Sequence, residues 1–151
     1  IPIAKITACD VSESALQIAQ ENARRYNFPI QFKQVDILDT NDWQPLNTFD
    51  IIVSNPPYIP PSEKRLMPDR VLEHEPELAL FTPEEDALLF YRTIAQFAQQ
   101  HLNENGQLFF EVNEYQGIAT KDMLEEMGFS DVKLYRDLNG KWRMLEGRLI
   151  N

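Results

Sequence analysis

The chain has 151 residues, of which 43% are apolar and 25% charged, and a formal charge of −10. That length makes about one domain, able to bury roughly 68–70% of the surface of its unfolded form, and the composition argues against wholesale disorder. No run approaches the ~18 apolar residues of a membrane span. The acidic balance counts against a stand-alone nucleic-acid binder, which would cluster Lys and Arg on phosphates, but leaves room for a basic protein partner.

Residues 5–9 (KITAC) read as a short strand ending at Asp10. Ser12 is placed to cap a following helix, with Glu13 at the positive end of its dipole. Leu16, Ala19, Ala23 and Tyr26 recur at helical spacing, which predicts an amphipathic helix over 14–26. Residues 30–35 (IQFKQV) alternate and end at Asp36. Residues 50–54 (DIIVS) are nearly all apolar, as expected of a strand buried on both faces of a parallel sheet. Thr82-Pro83-Glu84-Glu85 predicts a helix start, with Thr82 and Glu85 as a capping box and Pro83 at the first helical position. Tyr91, Ala95, Ala98 and Leu102 mark its buried face. Asn105-Gly106 reads as a turn before a strand over 107–112. Ile118, Met123, Leu124 and Met127 mark another helix, stopped by Gly128. Residues 131–136 and 142–149 read as two strands joined around Asn139-Gly140, a hairpin signal.

Strand–helix alternation followed by a hairpin predicts an α/β sheet, mostly parallel with an antiparallel edge. Ligands of such sheets bind at the carboxyl ends of the strands. Asp10, Asp36 and Asn55 all fall at or just past those ends. The first 105 residues contain no glycine, while seven of the ten prolines lie between Pro56 and Pro83. One domain with a proline-rich loop in its middle is expected. Cys9, the single cysteine, has no internal disulfide partner, and no Cys/His cluster suggests a metal; a reducing, cytoplasmic setting is expected. The chain begins with Ile1 and shows no signal peptide, and a piece of a longer protein is expected.

The most informative segment is Ser54-Asn55-Pro56-Pro57-Tyr58-Ile59-Pro60. Pro56 restricts Asn55 to extended geometry, and neither Pro56 nor Pro57 has an N–H. The segment therefore offers carbonyl oxygens and the Asn55 amide on a stiff frame, acceptors suited to a planar –NH2 group. Tyr58 adds an aromatic wall. Methyl transfer to a nitrogen conjugated with a π system has these needs, because its lone pair is delocalised. Positioning and electrostatics supply most of the rate in such a reaction. The plainer alternative is a rigid turn.

The run Asp10-Val11-Ser12-x-x-Ala15-Leu16, Asn22-Ala23, Asp36 and Phe49-Asp50-Ile51-Ile52-Val53-Ser54-Asn55-Pro56-Pro57-Tyr58-Ile59-Pro60 resembles the HemK-type glutamine N5-methyltransferases. Further matches are Glu75-Pro76-x-x-Ala79-Leu80, Asp86-x-Leu88-x-x-Tyr91, Gly106-Gln107-Leu108-x-x-Glu111 and Asp137-Leu138-x-Gly140-x-x-Arg143. The resemblance implies a class I S-adenosylmethionine-dependent methyltransferase fold (Rossmann-like). It implies as substrate the glutamine of the Gly-Gly-Gln motif in peptide-chain release factors. By that resemblance Asp10 binds the ribose hydroxyls and Asp36 lies near the adenine. Asn55, beside the cofactor, holds the glutamine amide together with the Pro56 carbonyl. Tyr58 packs on that amide, with Pro57 completing the substrate shelf. Asn-Pro-Pro-Tyr alone is shared with DNA adenine methyltransferases. A DNA or RNA N-methyltransferase and a non-catalytic remnant serving as an interaction module are therefore the competing expectations.

The family's Gly-rich cofactor loop, first strand, first helix and N-terminal helical domain have no counterpart in these residues. The chain is expected to be a partial catalytic domain over 1–151 that binds S-adenosylmethionine weakly or not at all. In the family the first strand lies between those ending at Asp10 and Ser54, so two unsatisfied strand edges are expected, left open, paired directly or met by a second chain. Ala87-Leu88 replaces a Gly-Leu pair of the family, and Glu111-Val112-Asn113 a more glycine-containing Glu-x-Gly. Residues 62–86 hold eight acidic and three basic side chains, and are expected to be either a solvated loop or a lid or docking surface for a basic release factor. Cys9 is expected to be buried in its strand, Phe109 and Phe110 to fill core, and His74 to be solvated. His101 should serve as a helix C-terminal charge partner, and Glu111 either faces the rim or forms a salt bridge.

Overall fold

The computed structural model describes residues 4–67 and 69–149. The chain forms two compact units, Ile1–Leu46 and Asn47–Asn151.

The first unit is a strand–helix–strand element: β1 (Ile6–Asp10), α1 (Glu13–Arg25) and β2 (Ile30–Gln34). The two strands pair in parallel, with Asp10 opposite Gln34. Ser12 caps α1 as expected, its hydroxyl oxygen accepting from the Ala15 amide at 3.3 Å. Glu13 in the first turn and Arg24 and Arg25 in the last complement the helix dipole. The helix buries Leu16 and Ala23. A 3-10 turn at Thr40–Trp43 then buries Trp43, whose indole N–H donates to the Ile37 carbonyl at 3.0 Å. Cys9 is exposed, which corrects the expectation of a core residue: a sheet only two strands wide leaves much of each strand accessible.

The second unit is built on a four-stranded sheet whose strands lie in the order Phe49–Ser54, Leu102–Glu111, Trp142–Leu149, Phe129–Arg136. β3 (Phe49–Ser54) leads through two short helices, α2 (Asp69–His74) and α3 (Glu77–Leu80), to α4 (Leu89–His101) and β4 (Leu102–Glu111). α5 (Gly117–Glu126), β5 (Phe129–Arg136) and β6 (Trp142–Leu149) complete it. β3 and β4 are parallel, whereas β6 runs antiparallel to both β4 and β5, forming the expected terminal hairpin. Leu108, Phe110 and Val112 from β4 and its exit meet Leu145 of β6 in the core, with α4 and α5 packed on the sheet. The Tyr91 ring stands edge-on to Phe110, centroids 5.2 Å apart. Fully burying a side chain such as Leu108 or Leu145 contributes about 1.5–3 kcal/mol.

β4 carries an irregularity where a turn was expected. Phe49 faces Leu102, yet Ile51 faces Gln107, so residues 103–106 arc out of the ladder. Asn105 takes a φ of 61°, and the Asn103 side chain donates to Asp50 Oδ1 at 2.8 Å. A Cβ on Gly106 would come within 2.8 Å of the Asn103 carbonyl oxygen, so only glycine fits the arc.

Several expectations are corrected. β3 is not buried on both faces: Ile51 is 51% and Val53 73% exposed, two alternate residues that share one face of this end strand. Among the described residues β1 pairs with β2 in its own unit and β3 with β4 in the other, each along one edge. Thr82 does not start α4. Its hydroxyl donates to the Asp86 carbonyl at 3.2 Å, and the helix begins at Leu89 after Asp86 Oδ1 accepts from the Leu88 amide. Asp86 also forms a two-pronged pair with Arg92 (2.7 and 3.2 Å), which fixes the turn ahead of the helix. Tyr91, Ala95, Ala98 and Leu102 are buried as expected. In α5 the buried face is Gly117, Thr120 and Leu124, and Ile118 is exposed. Gly128 (φ 89°) ends it as expected. Phe110 is buried, while Phe109 is only partly so. His101 ends α4, its ring stacked on Phe97 at 4.2 Å.

Candidate functional site

The Asn55–Tyr58 shelf follows β3 directly. Asn55 is exposed, and its amide has no hydrogen-bond partner among the described residues. Pro56 is buried, and Pro57 and Tyr58 are partly buried. Two prolines in sequence leave the backbone little freedom, so the Asn55 side chain projects from a fixed base.

The shelf is held from three sides of the second unit. Ile59 pairs with Phe81: its amide donates to the Leu80 carbonyl at 3.1 Å, and its carbonyl accepts from the Thr82 amide at 3.0 Å. The segment over 62–86, expected as a loop, thus folds into short helical turns and is stitched back to the shelf. Ser62 donates its amide to Glu84 at 2.9 Å, and Lys64 pairs with Glu77. His74 is exposed at the end of α2.

From the sheet, the Tyr58 hydroxyl donates to Glu111 Oε1 at 3.5 Å. Glu111 forms no ion pair among the described residues, so the salt-bridge alternative is set aside. Burial first, and the Glu111 carboxylate second, push the Tyr58 phenol above its ordinary value, against the pull of Arg143. Behind it the buried Tyr91 hydroxyl donates to the Glu111 carbonyl at 3.3 Å and accepts from the Asn113 amide at 3.4 Å. Burial drives the Tyr91 phenol strongly upward. Arg143 donates to the Val112 carbonyl at 3.4 Å and approaches Asp137 at 3.7 Å, tying the hairpin turn to the end of β4.

From the loop before α5, Gln116 Nε2 donates to the Tyr58 carbonyl at 3.4 Å. Gln116 carries no signal in the sequence, and Asn113 stands out there only as a departure from a family glycine. Neither lies on a periodic face, and only the folded chain brings them to the shelf.

Asp10 and Asp36 belong to the first unit, at the carboxyl end of the parallel β1–β2 pair. Both are exposed. Asp10 Oδ1 accepts from the Ser12 amide at 2.8 Å, and Asp36 Oδ1 from the Leu38 amide at 2.9 Å. Each carboxylate thus has one oxygen anchored to backbone and the other open to a donor. Two such carboxylates at one end of a parallel pair fit hydroxyl and amino donors of a nucleoside. Among the described residues no group of His, Cys, Asp and Glu could hold a metal ion, and no helix is long and apolar enough to cross a membrane.

The α/β organisation with parallel strand pairs and a terminal antiparallel hairpin is that of the class I S-adenosylmethionine-dependent methyltransferase fold. A methyltransferase from Pyrococcus furiosus superposes with a TM-score of 0.65 at 21% identity, covering 97% of this chain and 64% of that one. A Streptococcus mutans protein solved in complex with SAH superposes at 0.62 with 19% identity, covering 96% of this chain and 76% of that one. The methyltransferase-domain family profile matches residues 2–111, and the chain belongs to that family. Within it, the release factor glutamine methyltransferase of Flavobacterium psychrophilum is 45% identical over 146 residues, 97% of this chain and 50% of that protein. The chain spans about half the length of the curated relatives it matches.

Proposed function

We propose that the chain is the catalytic half of an enzyme that methylates the side-chain nitrogen of the glutamine in the Gly-Gly-Gln motif of peptide-chain release factors. The observation that carries this reading is the stiff run that follows β3, an exposed Asn55 amide without a hydrogen-bond partner among the described residues, then buried Pro56 and half-buried Tyr58. The name of the Flavobacterium psychrophilum relative supports the substrate. The Asn55 carbonyl oxygen and the Pro56 carbonyl accept from the two protons of the substrate amide, orienting the nitrogen as charge develops on it. Tyr58 gives the flat amide a wall. When bound, S-adenosylmethionine supplies a methyl carbon made electrophilic by its sulfonium. Asp10 accepts from the ribose hydroxyls and Asp36 from the adenine amino group, in keeping with their open carboxylate oxygens.

The acidic segment over 62–86 is the docking surface for the basic partner. Glu75 and Glu77 are exposed on it, and the Glu73 side chain lies outside the described set. A polypeptide of these 151 residues alone binds S-adenosylmethionine weakly or not at all, since no glycine precedes Gly106 to let backbone approach the cofactor closely. Calorimetric titration checks this: micromolar affinity would refute it.

The decisive experiment uses the whole protein with a labelled methyl donor and a release factor. Asn55→Ala should cut methyl transfer by about 10²–10³, as removal of a single transition-state hydrogen bond does, with cofactor affinity unchanged. Loss of cofactor affinity with turnover at saturation intact would refute the assignment.

A further inference from the structure

Among the described residues, a buried side-chain atom without a hydrogen-bond partner is Oε1 of Gln116. Native proteins leave few such atoms, and each costs about 1–3 kcal/mol. The backbone around it is fully engaged. The Gln116 amide donates to the Asn113 carbonyl at 3.1 Å, and its carbonyl accepts from the Thr120 amide at 2.8 Å and the Thr120 hydroxyl at 2.9 Å. The side chain is therefore aimed by a fixed main chain. Its orientation is also decided. Turning the amide over would set Oε1 against the Tyr58 carbonyl, acceptor to acceptor, at the 3.4 Å now spanned by Nε2. The unpartnered oxygen is what the fold tolerates to keep a donor on Tyr58.

We propose that Gln116 is a positioning residue, holding the Tyr58 main chain from the α5 side while Glu111 meets the hydroxyl from the β4 side. Tyr58 is then held chiefly at its main chain, and its ring stands as a wall of the shelf. Asn55 lies three residues earlier on the same proline-stiffened run, so a shift at Tyr58 moves the whole acceptor set. This rests on the reading of the shelf as the amide-binding site. A glutamine kept only to fill space would serve better as an apolar side chain of the same length, which removes the unpartnered oxygen.

That contrast gives the test. In the whole protein, Gln116→Met should leave the melting temperature unchanged or raised. The kcat for release-factor methylation should fall about tenfold, with KM for S-adenosylmethionine unchanged, and the Tyr58 ring signals in a tyrosine-labelled NMR spectrum should shift and broaden. Gln116→Glu is the second variant. Its ionised carboxylate repels the Tyr58 carbonyl, while its protonated form can donate to it, so the loss in kcat and the Tyr58 shift should both recede as pH is lowered. Wild-type turnover with unmoved Tyr58 signals in either variant would overturn the proposal. If the unaltered protein transfers no methyl to the release factor, the functional reading falls, and the Tyr58 signals still judge the clamp.

Discussion

The two ends of Tyr58 make separable predictions. The hydroxyl reaches Glu111 at 3.5 Å, beyond the usual ~2.5–3.0 Å of an O–H···O bond. It leaves a carboxylate that water can reach. Tyr58→Phe should therefore change stability by no more than about 0.5 kcal/mol, the low end for a hydrogen bond, and kcat by less than about threefold. The ring is another matter. A Tyr side chain buries about 150–250 Å² when fully enclosed. Tyr58 is partly buried, so roughly 100 Å² lost at ~25 cal/mol/Å² amounts to about 2.5 kcal/mol. Shared between folding and the bound amide, this gives Tyr58→Ala a loss of about 1–2 kcal/mol in stability and about 10-fold or more in kcat/KM. Urea unfolding and steady-state methylation of a release factor by the whole protein measure both. A Phe variant as damaged as the Ala variant would refute the reasoning, because the hydroxyl rather than the ring face would then be the working part.

Other perturbations follow from the same contacts. The Arg92 hydrogen bond holds the Asp86 carboxyl below its usual range. Its stabilisation is therefore present above the unfolded value of about 3.8 and lost as pH falls through the lower folded value, and Asp86→Asn should flatten acid unfolding by about 0.5–1 kcal/mol for so exposed a pair. Tyr91 is shifted upward, so the opposite limb applies: stability is full below the unfolded phenol value of 10.0 and declines as pH rises beyond it, and Tyr91→Phe should remove that alkaline dependence in denaturant titrations. Gly128→Ala meets no neighbour and should cost only the left-handed strain of about 1–2 kcal/mol, whereas Gly106→Ala meets backbone at 2.8 Å and should cost more in a thermal melt. Reversing charge at Glu73, Glu75 and Glu77 should slow association with the release factor and weaken its salt dependence in stopped-flow mixing; an unchanged rate would remove the docking role.

The strands and α1 were legible because their periods, caps and turn residues agree locally. Ser12 bonds as its position foretells, and 142–149 forms a strand over the expected residues. The shelf was legible because proline geometry needs no tertiary context. The start of α4 was not. Thr82-Pro83-Glu84-Glu85 satisfies the local rule for a helix start, but the Ile59–Phe81 pairing and the Asp86–Arg92 bond hold that stretch as a turn. An apolar run such as Ile51-Ile52-Val53 shows that a strand forms, not which of its faces this chain covers. Asn113, Gln116 and the inward hydroxyl of Tyr91 reach the site through packing between distant segments, which no spacing along the chain encodes.

The arc over 103–106 acts as a phase setter for β4. In a strand, odd and even residues face opposite ways. The arc is what makes Leu108, Phe110 and Val112 the inward set and turns Glu111 toward Tyr58. Deleting one residue from it would invert that parity, sending a carboxylate into the hydrocarbon interior and a phenylalanine into water. The length of an irregular stretch far along the chain from the shelf therefore decides which way its carboxylate neighbour looks.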